Sequence, residues 1–235
     1  IINKSNIMGF YRGPNIVTDG LVYAMDAGSA RSYDGTTSLN DLVGSNTGTL
    51  TNGVTYQSIN GGVFDFDGVD DYISFSNVVA NDNSYTILMW IKPDGLSAGG
   101  SGSSKPSGTN RKTPIKGNGQ WNPGIWLTSD YIRSHGATQY TDSAINWTTS
   151  TWDMIGMTYD GTNVNNILGD SVQARTHVSS YGPGTPTELL AGAESASGSS
   201  HSWDGSIADV LIYDRVLTAA EIAQSYNAKK SRFGL

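Results

Sequence analysis

Between Val63 and Phe75 the chain reads VFDFDGVDDYISF, which crowds four carboxylates, Asp65, Asp67, Asp70 and Asp71, into one strand-like segment. Three chemistries suit such a group. A hard cation such as calcium takes about six to eight oxygens from carboxylates, amide side chains and backbone carbonyls. A retaining glycosidase needs two carboxyl groups about 5 Å apart, one with a raised pKa. A tight turn uses the same letters for local geometry, because Asp accepts from the backbone two residues on and Gly supplies a positive φ. Asp65 and Asp67 alternate with Phe64 and Phe66 and run straight into Gly68, the pattern of a strand face entering a turn. Asp70 and Asp71 are adjacent like charges at that turn and gain from a nearby cation, so they keep a modest claim on calcium while the fold requires no cofactor.

Other catalytic constellations are not legible. The histidines are His135, His177 and His201, with no i, i+4 pair and no His-Glu-x-x-His run, and each reads as a surface or loop residue. There is no GxSxG elbow, and the Gly-rich GGSGSSKPSG lacks the flanking strand and helix of a phosphate loop. Zero cysteines removes disulfides, thiol catalysis and thiolate metal sites together. The expectation is a protein that is not an enzyme.

Carbohydrate binding requires exposed aromatic faces with polar neighbours to fix orientation. Trp90 and Trp152 lie in apolar runs and read as core. Trp121, Trp147 and Trp203 sit among Asn, Gln, Gly, Ser and Asp and are candidate glycan-binding residues, foremost Trp121 in GNGQWNPG, with Tyr131 and Tyr140 as additions. The competing reading is that loop aromatics seal the edges of a sandwich.

The elements that must hold these residues are mostly strands. In 235 residues the chain has 29 Gly, 37% hydrophobic and only 15% charged residues, a bias toward β-structure with many loops. A net charge of −7 argues against nucleic acid and anionic membrane surfaces as partners. No apolar run approaches the roughly 20 residues that span a bilayer, and the opening segment lacks the apolar core of a signal peptide. SYTILMWIKP, Ser84 to Pro93, is the most hydrophobic strand candidate. Further strand-like pieces recur at the spacing of an all-β sandwich. Residues 1–18 read as an extended arm and 19–228 as one domain with a Gly/Ser-rich mobile insertion over about 95–112, leaving a basic tail over 229–235. One helix is expected from about Ala219 to Tyr226, with Thr218 and Glu221 as a capping box and Leu217 and Ile222 as a hydrophobic staple. Phe10, Tyr11 and Arg12 in the arm, and Lys229, Lys230, Arg232, Phe233 and Leu235 in the tail, are candidates for docking on a partner or on a second copy of the chain.

In order, LVYAMDAGSARSYDG, FDFDGVDDYISF, YTILMWIKPD, TWDMIGMTYDGTNV and DGSIADVLIYDRVLTAAEIAQSYNA resemble the laminin-G-like, concanavalin-A-like jelly-roll domains. That resemblance implies an all-β sandwich of two antiparallel sheets with one short C-terminal helix, and a function of glycan binding, protein binding or hydrolysis. The hydrolytic relatives use Glu-x-Asp-x-x-Glu, and none of Glu188, Glu194 and Glu221 lies in that frame. Calcium-binding relatives draw ligands from the FDG-type turn, here Asp67, Asp70 and Asp71, and from an acid in the closing strand. Ala208 stands at that place, with Asp209 one position later. The frames RGPNIVTDGLVYAMDAGSARSY and YDRVLTAAEIAQSYNAKKSRFGL are further similar to lectin-like structural proteins of tailed bacteriophages. This implies a virion surface role, as capsid decoration or tail fibre, with other virion proteins as partners through the termini and cell-surface glycans as ligands. The alternative is a secreted carbohydrate-binding module, and a glycoside hydrolase is the third reading.

Overall fold

The computed structural model describes residues 14–79, 84–98, 111–180, 184, 186–197 and 201–235. Phe10, Tyr11 and Arg12, and most of the Gly/Ser-rich insertion, lie outside the described residues.

Two antiparallel sheets pack face to face. The first is built from β1 (Leu21–Asp26), β4 (Thr55–Gln57), β5 (Val63–Asp67), β7 (Tyr85–Pro93), β12 (Asp153–Tyr159), β13 (Val164–Leu168), β14 (Ser171–Val172) and β17 (Asp204–Tyr213). Their order is β14-β13-β12-β7-β17-β5-β4, with β1 also paired to β17. The second holds β2 (Ser38–Asn40), β3 (Thr47–Thr51), β6 (Tyr72–Ser76), β8 (Lys112–Gly117), β9 (Gly124–Leu127), β10 (Tyr131–His135), β11 (Gln139–Ala144), β15 (His177–Ser180) and β16 (Glu188–Ala191). Its order is β15-β11-β10-β9-β8-β16-β6-β3-β2. The expected jelly-roll sandwich is the fold observed.

The core lies between the sheets, where Phe64, Ile87, Met89 and Ile91 of the first meet Ile73, Ile115, Ile125 and Ile132 of the second. The β7 run is apolar without alternation because both its faces are covered. Leu88 and Trp90 turn outward with Met154, Ala208 and Leu211, and beneath them Ile222 and Phe233 close a second, smaller cluster.

That cover is the C-terminal helix α1 (Ala219–Lys229) and the 3-10 turn Lys230–Phe233 after it. The capping box at Thr218 and Glu221 is present, and Leu217 and Ile222 are buried together as the staple requires. The helix runs three residues beyond the expected Tyr226 because its last turn is held from below. The tail is therefore no free docking segment, which corrects the expectation for three of its residues. Phe233 is buried and stacks on Trp90 with ring centroids 4.5 Å apart. Lys229 Nζ donates to Asp209 and, at 3.1 Å, to Asp26. Arg232 reaches Asp26 at 2.8 Å and the carbonyl of Asn60 at 2.5 Å. Lys230 is partly buried with its Nζ 5.8 Å from the Tyr226 ring centre, and Leu235 is exposed. Upstream, the Val17 carbonyl accepts from the Tyr213 hydroxyl at 3.0 Å, and the Asn15 carbonyl from Gln224 at 2.8 Å, tying residues 14–18 to the same layer.

Candidate glycan-binding face and cation site

On the second sheet, strand alternation sends Ile125, Leu127 and Ile132 into the core and their neighbours Trp126, Arg133 and His135 to the outer face. Pairing then brings Arg133 opposite Asp142, and His135 opposite Tyr140 and Gly124. The turn after β8 carries Trp121 over this face, half-exposed at 49%. Its ring stacks on His135 at 5.8 Å and tilts on Trp126 at 5.9 Å. The line continues from His135 to Tyr140 at 4.9 Å and from Tyr140 to His177 at 5.6 Å.

Charged groups frame the rings. Arg133 makes a two-pronged contact with Asp142 at 2.5 and 2.7 Å and lies over Tyr140 at 4.4 Å. Arg111 and Lys116 sit within 5.8 and 5.4 Å of the Trp121 ring centre. Both also reach Glu194, at 3.2 and 3.8 Å, while Glu194 holds His201 Nδ1 at 2.5 Å. Burial opposes ionisation of Glu194, but Arg111, Lys116 and His201 outweigh it and keep its pKa low. Burial, reinforced by Arg133, Arg111 and Lys116, depresses His135 to about 2, so its ring is neutral. Trp126 Nε1 is buried with no hydrogen-bond partner among the described residues.

Of the expected glycan residues, the structure joins Trp121 and Tyr140. Tyr131 shares the outer face of β10, one repeat beyond Arg133. Trp147 and Trp203 are buried in the core at 6% and 0% exposure, so their polar sequence neighbours mark the sandwich edge they seal. His135, expected at the surface or in a loop, is a buried strand residue. Arg111, Lys116, Arg133, Asp142, Glu194 and His201 come together from distant segments, and no local spacing announces them.

In the turn between β5 and β6, Asp67, Asp70 and Asp71 each place a carboxylate oxygen within 4.8 Å of the others. The turn reading also holds, since Asp67 Oδ1 accepts from Val69 N at 2.8 Å and Asp71 Oδ2 from Asp67 N at 3.1 Å. Asp71 is only 3% exposed and its Oδ1 is buried without a partner. Burial raises its pKa, and the charges of Asp67, Asp70 and Asp65 add to the rise. An orphaned buried oxygen beside two further carboxylates fits a calcium donor set.

Asp209 does not belong to that group. A bulge between Ile207 and Asp209 places Asp209 on the helix-covered side beside Ala208, where the one-residue offset would otherwise have sent it to the other face. There it is fully buried, accepting from Trp90 N at 3.3 Å and from Lys229. The acid of β17 that faces the cluster is Asp204, paired in register with Asp67. Burial raises its pKa, as do Asp94, Asp65 and Asp67, against the pull of Lys112.

The fold and the ring-bearing outer face define a lectin-like sandwich. The concanavalin A-like lectin/glucanases superfamily model matches residues 67–223, two thirds of the chain, and the protein belongs to that family. No curated protein matches the sequence. Among solved structures, domain 4 of a GH43 extracellular arabinanase from Geobacillus stearothermophilus, in complex with arabinotriose, is similar with a TM-score of 0.62 and 16% identity. The match covers 88% of this chain and 98% of that one. The botulinum neurotoxin serotype D ligand binding domain, in complex with N-acetylneuraminic acid, matches at 0.63 and 14% identity over 88% of this chain and 50% of that one. Trypanosoma rangeli sialidase in complex with sialic acid matches at 0.65 and 13% identity, over 92% and 34%. At these identities the likeness is one of fold.

Proposed function

We propose that this chain is a non-enzymatic, lectin-like surface protein that binds glycan on the outer face of its second sheet. The observation that carries this is Trp121, half-exposed above His135, Trp126 and Tyr140 and framed by Arg111, Lys116 and Arg133. Rings supply stacking area and the cations supply donors for hydroxyl or carboxylate groups of a sugar. Arabinotriose and sialic acid in the similar structures support the ligand class. A glycosidase needs a carboxylic acid that can donate a proton. Here Glu194 is held ionised by its cations, and Asp142 is held by Arg133.

The reading extends to a place on the exterior of a tailed-phage virion, as head decoration or fibre. Its support is the resemblance of the two terminal sequence frames. The arabinanase domain, matched over 98% of its length, supports the alternative of a secreted carbohydrate-binding module. Imaging purified particles at side-chain resolution separates the two, since only the virion reading places this chain on them. Glycan binding itself is tested on an array. The Trp121→Ala variant is expected to lose at least tenfold in affinity for any glycan that the wild type retains, and equal retention by both proteins would end the assignment to this face.

Calcium at Asp67, Asp70 and Asp71 is the second reading, favoured by the unpartnered Asp71 Oδ1. A raised folded-state pKa means that the ionised carboxylate opposes folding, so stability without cation rises as pH falls through that pKa. Calcium should reverse this by binding the folded state. Millimolar calcium is expected to raise Tm by several degrees in the wild type and not in Asp71→Asn. The same calcium response in both proteins would remove the site.

A further inference from the structure

The loop between β1 and β2, together with β4, carries a second set of rings, Tyr33 and Tyr56, apart from those around Trp121. Two adjoining cavities of about 350 and 310 Å3 lie along the loop between β1 and β2, and both are walled by Tyr33 and Gly35. Each is of the size that small-molecule sites occupy. Tyr33 packs edge-on against the core ring Phe64 at 5.1 Å, which fixes its plane, and Tyr56 leans on it at 5.0 Å while remaining 40% exposed. A third cavity, of about 250 Å3, continues the groove past Gly28 toward the Asp26 and Arg232 pair.

The loop is held rather than loose. Ser32 and Tyr33 both donate to the Ser29 carbonyl at 2.8 and 2.9 Å, Gly28 donates to Asp26, and Thr36 folds back on Asp34. Gly28 passes so close to Gly61 that a Cβ would stand 2.3 Å from its carbonyl oxygen, whereas Gly35, at φ +94, faces open space. The two larger cavities are lined by no charged side chain. Their polar side chains are Thr36, whose hydroxyl is taken by Asp34 and Ser38 N, Tyr33, Tyr56 and Thr37, whose hydroxyls meet no partner among the described residues, and Asn52, whose Nδ2 donates to the Asp70 carbonyl. Fixed ring faces bordered by unclaimed hydroxyls and an amide oxygen, without charge, are the chemistry that recognises a neutral pyranose or furanose ring.

We infer that the groove at Tyr33 and Tyr56 is a second saccharide site, selective for short neutral oligosaccharides and separate from the Trp121 face. It draws on β4 and the β1–β2 loop and shares no lining residue with the Trp121 face, so either site can fail while the other stands. Because it adjoins Gly53, where a Cβ would lie 3.0 Å from Asp71 Oδ1, the groove floor rests on the acidic cluster.

The test is a titration of the isotopically labelled full chain with xylotriose, cellotriose and mannotriose, followed by amide chemical shifts. At least one of the three is expected to move Gly35, Thr37 and Gly53. Tyr56→Ala should weaken that response about tenfold or more. Tyr33→Phe, which keeps the packing on Phe64 and removes only a hydroxyl, should weaken it severalfold. Trp121→Ala should leave it unchanged. Absence of shifts at these three amides with all three sugars would overturn the assignment, as would loss of the shifts in Trp121→Ala, which would mean a single site. The Trp121 reading is judged separately on the array.

Discussion

Each sheet presents an outer face bearing a tryptophan and carboxylates, Trp90 with Asp26 and Asp209 on the first and Trp126 with Asp142 on the second, and the two faces have opposite fates. On the first sheet, Trp90 is stacked by Tyr226 and Phe233 of the C-terminal segment, whose Lys229 and Arg232 reach Asp26, Asp209 and the carbonyls of Asn60 and Gly62. On the second, Trp121 keeps half its surface, and Arg111 and Lys116 lie beside it. What differs is a cover: α1 and its 3-10 turn bury Trp90 and pair with Asp26 and Asp209, whereas on the other sheet the cations pair with Glu194 and Asp142 in the sheet's own layer and Trp121 stays half-exposed.

The covered side should respond most strongly to perturbation. Burial works against a charge on Lys229, yet the carboxylates of Asp209 and Asp26 outweigh it and push its pKa up. Asp209 has no exposed surface, so Lys229→Ala strands a buried carboxylate. The expected loss is about 3–5 kcal/mol in urea denaturation, and the double variant Lys229→Met, Asp209→Asn should recover most of it, because no unpaired charge remains. A loss below about 1 kcal/mol in the single variant would show that the covered face is no tighter than the open one.

The open side should instead register pH. His135 is neutral in the folded protein, with its pKa depressed to about 2, whereas the unfolded chain titrates near 6.5. Below about pH 6.5 the unfolded state therefore binds the extra proton, and stability falls with pH throughout the interval down to the folded value. Between pH 6 and 5 this residue lowers stability by about 1.2 kcal/mol, approaching the limiting slope of about 1.4 kcal/mol per pH unit at lower pH. Denaturation of the wild type and His135→Gln across pH 7 to 5 should show the slope in the first and its reduction in the second. Parallel profiles would mean that His135 is not held neutral by its surroundings.

Much of this was legible in sequence wherever the signal is local. The capping box at Thr218 and Glu221, the staple, the strand Tyr85–Pro93 and the turn at Asp67-Gly68 each depend on neighbours within a few residues, and each appears. What failed was non-local. Trp203 has polar neighbours, but its ring turns into the core, and no short-range pattern distinguishes that from Trp121. The tail looked free because its acidic partners lie about two hundred residues earlier at Asp26, or behind a bulge at Asp209. Register arguments assume regular pairing, and one extra residue in β17 reversed the face on which that carboxylate stands.

The smallest expected effect is the most discriminating. Trp121→Ala should change folding stability by no more than about 1 kcal/mol, since half of the ring already faces solvent. The same truncation at Trp203, fully enclosed between the sheets, should cost about 3–5 kcal/mol. Paired thermal melts of the two variants measure how far the tryptophans differ in role. If Trp121→Ala melts as low as Trp203→Ala, then Trp121 seals the sandwich edge as Trp203 does, and any loss of glycan affinity in that variant reflects unfolding. If its Tm stays near the wild type while glycan affinity drops, the ring serves the ligand and not the fold, which is the distinction between an uncovered face and a covered one.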